Sequence, residues 1–320
     1  MIKQANELTF GDKKFSMILY GAPGVGKTTL ALSAPNPVLI DFDKGVSRVK
    51  AYHRRLTIVC DTYEEVLNDI QAPEIKDCET IIIDTGGSFV SYLQDYVMRE
   101  NPAVNKQKNG AISLKGFGAV KQEFQRFTNM VRDVMNKNVI YVFHSDEQKD
   151  KDGNPQQRLL CEGAARNIVW QPCDFGGYVQ MIGNTRVVTF TPTQEFFAKG
   201  CYGIEGQFNV PSIGPADKNE FLTNLFEKAR ANIEADNEAF APLKEQYDAT
   251  MIEVRKILDN IKTVDDANAA VASLPSLNHA LTSTKEASAL LSEKAKELGF
   301  TWDKASKGYI VPATESAGAN

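Results

Sequence analysis

The chain has 320 residues, of which 42% are hydrophobic and 24% charged, with a formal net charge of -5 and a pI of about 5.4. These values are ordinary for a globular protein, and they exclude an overall basic coat for nucleic acid while leaving room for local basic loops. The length predicts one α/β domain with an additional region rather than one domain of average size.

The cysteines and the apolar runs indicate the compartment in which the chain works. Five scattered cysteines form no C-x-x-C pair, which is typical of a reducing compartment and argues against a zinc site. The polar N-terminus does not resemble a signal peptide, and no apolar run approaches the roughly 18 residues of a membrane span. We therefore expect a cytoplasmic protein with no membrane partner.

The N-terminal half alternates between apolar runs and helical patterns as far as about residue 140, which predicts βαβ units around a parallel sheet. The expected strands lie at 15–20, 38–41, 56–59, 80–84 and 138–143, and the expected helices at 28–33, 62–71, 89–99 and 117–136. Short strands that extend the sheet in antiparallel fashion are expected at 176–181, 186–191 and 195–199.

The C-terminal part has a helical pattern from residue 217 onward, with an acidic stretch at 234–245 that predicts a joint between helices. The expected elements are helices at 218–235, 237–262, 264–273 and 284–298 and a small hairpin at 299–311. We predict a core of residues 1–215, a helical C-terminal region of residues 216–311 and a disordered tail of residues 312–320.

One motif carries a specific chemical signal. Residues 21–28 match the P-loop pattern G-x-x-x-x-G-K-[ST] at every fixed position and lie between an expected strand and an expected helix. Glycines let backbone amides point at phosphates, and the helix N-terminus adds a positive dipole end. The motif predicts ATP and Mg²⁺, with Lys27 at the β- and γ-phosphates and Thr28 on the metal. The predicted phosphate-binding residues are Gly21, Ala22, Pro23, Gly24, Val25, Gly26, Lys27, Thr28 and Thr29.

Carboxylates follow two of the expected strands. Asp84 ends an apolar strand and is the expected Walker B residue, which orders Mg²⁺ through water or through Thr28. Asp41 and Asp43 end the strand that follows the P-loop helix, and a hydrolase needs such a carboxylate to orient the attacking water. We favour Asp43 as this base because it lies further toward the C-terminal edge of the sheet, and Asp41 remains the alternative. His144 ends a later strand and is the candidate γ-phosphate sensor, with an ordinary strand-end histidine as the alternative.

The order of these elements resembles the RecA core. A P-loop, an early strand with a carboxylate end, a Walker B strand, a long helix, a strand with a polar end and a late strand ending in Lys199 follow one another. More narrowly, residues 17–31 resemble the short bacteriophage ATPases that consist of a RecA core alone and act in single-strand annealing and recombination. The resemblance covers roughly residues 15–205 and implies a mostly parallel sheet with an antiparallel extension, followed by a helical C-terminal region.

The resemblance also implies roles for individual residues. Asp43 stands in place of the family's usual Glu, and His144 lies near its usual Gln sensor. Lys199 lies where RecA filaments offer lysines to the ATP of the neighbouring subunit. This implies an ATPase stimulated by single-stranded DNA in the host cytoplasm, assembled as a homo-oligomeric ring or filament with its ATP sites between subunits. A single-strand-binding protein is a further implied partner.

The DNA-binding loops of RecA follow the Walker B helix and the sensor strand, which correspond to residues 101–118 and 146–160 here. Long polar loops in a compact domain are often functional, and cationic side chains in such loops can neutralise phosphates. The alternative is that both loops are merely solvated. The implied DNA contacts are Lys106, Lys108, Lys115, Lys149, Lys151 and Arg158.

Two other functions stay open at this point. A P-loop kinase could transfer phosphate to a small metabolite, and a non-enzymatic adaptor could use ATP only as a switch. Kinases of that kind usually carry an arginine-rich lid, whereas the expected loop after Phe143 offers only Arg158 and Arg166.

Overall fold

A computed structural model describes residues 12–161 and 169–312. Within this part of the chain, two compact units are formed by residues 12–232 and by residues 233–312. None of the described helices is long and apolar enough to cross a membrane.

The first unit is built on a nine-stranded sheet of the described residues. The strands lie in the order β3-β2-β4-β5-β1-β7-β8-β9, and β6 pairs with β5 outside this path. Strands β1 to β5 and β7 pair in parallel, and β6, β8 and β9 pair in antiparallel fashion. The strands are β1 Ser16–Gly21, β2 Pro37–Asp41, β3 Thr57–Ile58, β4 Thr80–Asp84, β5 Asn138–Lys149, β6 Pro155–Leu159, β7 Phe175–Ile182, β8 Thr185–Thr189 and β9 Gln207–Val210.

The central strands β1, β2 and β4 are buried along their whole length, as are the first six residues of β5. This matches their continuous apolar sequences, because a parallel strand covered on both faces needs apolar side chains on each side. The predicted architecture, a mostly parallel sheet with an antiparallel extension and a helical C-terminal region, is confirmed.

Helices cover the sheet and begin at residues with capping side chains. Thr62 and Glu65 form a capping box at the start of α2, while Thr85 and Ser113 cap α3 and α5. The helices of the first unit are α1 Lys27–Ala31, α2 Tyr63–Asp69, α3 Gly86–Glu100, α4 Pro102–Asn105 and α5 Leu114–Asn129, and a π-helical turn at Met130–Val134 follows α5. The apolar stripe expected on α5 is buried in the core at Val120, Phe124, Phe127 and Val131.

Regular structure occupies part of the first stretch expected to be a long loop and most of the second. Residues 101–118 contain α4 and the start of α5. Residues 146–160 belong mostly to an antiparallel hairpin, in which β5 pairs with β6 from Ser145↔Leu159 to Lys149↔Pro155. The loop expectation was wrong here because backbone pairing needs no apolar side chains, and this hairpin is largely polar.

A third difference concerns the antiparallel extension. Residues 195–199 form no continuous strand and make only single bridges, such as Gly176 with Lys199. The third antiparallel partner is β9 instead, which pairs with β8. The hairpin expected at Gly183-Asn184 is present between β7 and β8.

The long helix α6, Phe221–Asp259, begins within the first unit. The Leu222 amide and the Thr223 side chain bond to Ser33, and Phe226 packs against Phe15 and Phe175. These contacts explain why the first unit extends to residue 232, beyond the expected boundary at 215.

The joint expected at residues 234–245 is absent, because α6 continues through it with Pro242 inside the helix. The acidic side chains there are exposed, so a helix accommodates them without burying charge.

The second unit packs the remainder of α6 against two further helices and a small hairpin. Its core includes Val254, Ala267, Leu291 and Tyr309. The other elements are α7 Val264–Ser273, α8 Ser283–Glu297, β10 Thr301–Asp303 and β11 Gly308–Ile310, so the expected end hairpin is present. The expected disordered tail lies outside the described residues except for Pro312.

Candidate active site

The P-loop connects the end of β1 to the start of α1. Gly24 and Gly26 have φ values of 82° and 85°, a left-handed conformation that residues with a Cβ rarely adopt. This conformation explains why the motif requires glycine at position 26, directly before Lys27. Lys27 is the first residue of α1, so the loop brings the lysine and a helix N-terminus to the same place.

A cavity of about 420 Å³ lies above the P-loop and brings together side chains from four separate segments. The P-loop and α1 line it together with residues at or just after the ends of β2 and β4 and with Val142 and His144 of β5, because these parallel strands run toward the same edge of the sheet. Its charged and metal-binding side chains are Lys27, Thr28, Asp43, Arg48, Asp84 and His144.

Lys27 is buried and is held by backbone carbonyls. Its Nζ donates hydrogen bonds to the oxygens of Gly21, at 3.0 Å, and Ala22, at 2.8 Å. Burial lowers the pKa of Lys27 to about 8, against the opposing effect of the carboxylates of Asp84 and Asp43. Phosphate oxygens would favour the charged amine, so this lysine fits a triphosphate.

Thr28 and Asp84 form the oxygen pair expected for a magnesium ion. The Thr28 hydroxyl donates a 2.6 Å hydrogen bond to Asp84, which is 8% exposed. Burial raises the pKa of Asp84, and the nearby carboxylates of Asp43 and Asp41 raise it further. A hard divalent cation binds such oxygens and would relieve this crowding of negative charge, so the pair fits Mg²⁺.

Asp41 and Asp43 have different surroundings. Asp41 is 2% exposed and accepts hydrogen bonds of 2.8 Å from the amides of Gly45 and Val46, so it holds the loop after β2. Asp43 lines the cavity and accepts hydrogen bonds from the hydroxyls of Thr85 and Ser88. Of the two carboxylates, only Asp43 has access to the cavity.

His144 lies between Lys27 and Asp43. Its Nδ1 is 3.4 Å from Lys27 Nζ, and its Nε2 is 3.7 Å from Asp43 Oδ2. An ammonium group can only donate, so we infer that Nδ1 accepts and that Nε2 carries the proton facing the carboxylate. The side chain of His144, followed by those of Ser88 and Thr85, lowers the pKa of Asp43 to about 2 against the effect of burial. Asp43 is therefore ionised at neutral pH.

Two arginines at this site were not expected from the sequence. Arg48 lies in a 3₁₀ turn, Val46–Arg48, and lines the cavity, and its guanidinium passes so close to Gly45 that a Cβ there would collide with it. Arg186 on β8 donates a 2.5 Å hydrogen bond to the carbonyl of Val25 in the P-loop. For Arg48, the sequence signal that could have been used is its position a few residues after Asp43. For Arg186, nothing nearby in the sequence indicates a contact with the P-loop.

Other predicted site residues lie outside the cavity. Lys199 is bridged to Gly176, and its amine donates to the carbonyl of Cys173, so its role toward a neighbouring subunit stays a prediction. The six cations predicted to contact DNA do not line the cavity either. Lys106, Lys108 and Lys115 lie between α4 and the first turn of α5, and Lys149, Lys151 and Arg158 belong to the β5–β6 hairpin and its turn.

The motif, the strand arrangement and the cavity define a P-loop ATPase with a mostly parallel α/β core. More particularly, the chain belongs to the AAA domain family, whose model matches residues 13–202. No curated protein matches the sequence. Among solved structures, the chain is similar to the flagellar accessory protein FlaH from Methanocaldococcus jannaschii. The two are 9% identical over 55% of this chain and 76% of that chain, with a TM-score of 0.28.

Proposed function

We propose that the protein hydrolyses ATP with Mg²⁺ and acts on single-stranded DNA in recombination, annealing or replication of the bacteriophage type. The observation that carries the hydrolase part is the position of Asp43. It is ionised, lines the same cavity as Lys27 and the Thr28–Asp84 pair, and faces His144. A P-loop protein that only binds nucleotide has no need of a second carboxylate beside the phosphates.

Each side chain has a distinct task in this proposal. The P-loop amides and Lys27 bind the triphosphate, and Thr28 with Asp84 would hold Mg²⁺, which when bound neutralises phosphate charge. Asp43 orients the attacking water, and its low pKa makes it an acceptor that positions the water rather than a strong base. His144 holds Asp43 in place and can report the state of the γ-phosphate.

The proposed link to DNA rests on the charge and connectivity of two segments. The lysines near α4 and on the hairpin are exposed, so they are available to phosphates of a single strand. Strand β5 runs without interruption from the cavity residue His144 to Lys149. DNA on the hairpin would therefore be connected to the ATP cavity by one strand. A cytoplasmic location and a homo-oligomeric ring or filament belong to the same proposal.

The deciding experiment measures ATP hydrolysis with and without single-stranded DNA, together with particle size. We expect turnover that depends on Mg²⁺, rises with DNA and is accompanied by larger particles. Phosphate transfer to a small molecule would instead show a kinase, and binding without turnover would show an ATP-switched adaptor.

A further inference from the structure

A second cavity, of about 370 Å³, lies in the first unit and takes no part in the ATP cavity described above. Three aromatic rings and two cations line it, and no carboxylate is among its described lining residues. These side chains are Tyr20, Trp170, Phe197, Arg158 and Lys199. The volume is within the range of small-ligand sites, which begins at about 300 Å³.

The aromatic rings are fixed by their neighbours rather than loosely placed. Trp170 packs on the backbone of Gly176, where a Cβ would collide with the indole, and meets Tyr20 edge to face at 6.1 Å between ring centroids. The Tyr20 hydroxyl donates a 2.6 Å hydrogen bond to the carbonyl of Phe197, which holds that segment. The ring centroids of Trp170 and Phe197 are 6.4 Å apart and the ring planes are inclined at 55°. The two rings therefore line adjoining sides of the cavity.

Phe197 remains 51% exposed, whereas Tyr20 and Phe196 beside it are buried. The guanidinium of Arg158 lies 3.8 Å from the centroid of the Phe197 ring. This stacked pair presents a flat surface with positive charge beside it. Such a surface suits a ligand that is both planar and anionic.

We propose that this cavity binds one unstacked nucleobase of single-stranded DNA, with Arg158 and Lys199 next to its phosphates. Single-strand sites combine basic side chains with aromatic rings on which bases stack, and both are present here. The inference rests on the proposed function for the presence of single-stranded DNA, and it adds the specific site. The cations predicted from the sequence supply only phosphate contacts, which cannot hold a base.

Tryptophan fluorescence gives a direct readout, because the chain has two tryptophans, Trp170 and Trp302. Trp302→Phe leaves Trp170 as the only tryptophan, which is excited selectively at wavelengths where tyrosine does not absorb. The probes are a deoxythymidine oligonucleotide of about 20 nucleotides and an abasic strand of equal length, which keeps the phosphates and lacks the bases. We expect the deoxythymidine strand to quench Trp170 in a saturable way and the abasic strand to leave it unquenched.

A matched pair of substitutions at Phe197 separates stacking from packing. Phe197→Leu keeps an apolar side chain without a ring and should weaken binding of the deoxythymidine strand roughly tenfold or more, whereas Phe197→Tyr should stay close to the wild type. Phe240→Leu, at an exposed phenylalanine of α6, is the control for loss of a surface ring. ATP hydrolysis without DNA should be unchanged in all three variants, which shows that they are folded.

The outcomes distinguish this inference from the proposed function. Equal quenching by both strands, or unchanged affinity in Phe197→Leu, overturns the base site while leaving DNA binding intact. A wild-type protein that binds neither strand overturns the DNA part of the proposed function and the base site with it.

Discussion

The imidazole of His144, within β5, stands 3.7 Å from the carboxylate of Asp43, which follows β2, and these two strands are not neighbours in the sheet. Strand β4 lies between them, so the two side chains meet by reaching across its end above Asp84. On its other side His144 approaches Lys27, so one ring lies between the P-loop lysine and the carboxylate of Asp43.

The first prediction concerns the choice between the two carboxylates. Asp43→Asn should bind ATP normally but hydrolyse it roughly 10² to 10⁴ times more slowly, because the amide orients the water poorly. Asp41→Asn should keep most of the turnover and lower the free energy of unfolding by about 1–3 kcal/mol, since it weakens the bonds to the amides of Gly45 and Val46. Nucleotide binding, steady-state turnover and urea unfolding test the pair, and the reverse pattern would make Asp41 the base.

The second prediction concerns His144. His144→Ala should lower kcat while leaving ATP affinity within a few fold, because the ring acts on Asp43 and the γ-phosphate rather than on the nucleotide as a whole. His144→Gln retains a polar side chain and should recover part of the rate. The test is a comparison of kcat and KM in both variants. Equal rates in the two, both as high as the wild type, would leave His144 as an ordinary strand-end residue.

The third prediction is a pH dependence of ATP binding. Burial holds the pKa of Lys27 at about 8 in the free protein, and bound phosphates should raise it because they favour the charged amine. The complex then holds more protons than the free protein above pH 8, so ATP affinity should fall as the pH rises through about 8 and stay level below it. Calorimetry in two buffers with different heats of ionisation measures the affinity and the proton uptake together.

Lys27→Arg is the control for that experiment, because a guanidinium stays charged throughout this range. Its affinity for ATP should show no proton uptake near pH 8, whatever its absolute value. Uptake that persists in this variant would assign the titration to another group. Lys27→Ala should lose hydrolysis altogether.

The fourth prediction concerns the exposed lysines. Replacing Lys106, Lys108, Lys149 and Lys151 together by Ala should weaken single-strand binding and flatten its salt dependence, since each lost phosphate contact removes about 0.7 from the log–log slope. The base-dependent quenching of Trp170 should persist at low salt, because the stacking site is separate from these lysines. A slope equal to that of the wild type would place the DNA path elsewhere.

Local sequence patterns were sufficient to predict the P-loop and the buried strands, because the residues that define each of them are contiguous in the chain. The P-loop is a contiguous motif, and strands such as Thr80–Asp84 are buried on both faces, so an apolar run with a terminal carboxylate located Asp84 within its strand. The same reasoning ordered Asp43 and Asp41 by their distance from the strand, and the structure gives only Asp43 access to the cavity.

Features that depend on distant partners could not be derived in this way. Arg186 reaches the P-loop from β8, and Trp170 meets Phe197 where the segments of Gly176 and Lys199 are bridged. The pairing of β5 with β6 was missed because backbone hydrogen bonds leave no apolar alternation when both faces are polar. The joint expected in α6 was wrong because exposed acidic residues do not interrupt a helix.

The fifth prediction concerns Arg48, a cation that lines the ATP cavity. Arg48→Ala should lower kcat at least tenfold with little change in KM, because a guanidinium at the cavity counters charge that develops on the transferred phosphoryl group. Arg55→Ala is the matched control, since Arg55 is an exposed arginine of the same region whose guanidinium donates to the carbonyls of Tyr52 and Arg54. Its kinetics should equal those of the wild type.

A mixing experiment then decides whether Arg48 serves its own cavity or that of a neighbour. If Arg48 acts within its own chain, a mixture of Lys27→Ala and Arg48→Ala hydrolyses ATP no faster than the added rates of the two separate variants. Each chain then lacks one of the two groups that its own cavity needs. If it acts across an interface, some interfaces regain an intact pair and turnover partly returns. We expect no recovery, and recovery in particles of confirmed mixed composition would transfer the arginine to the neighbouring subunit's site.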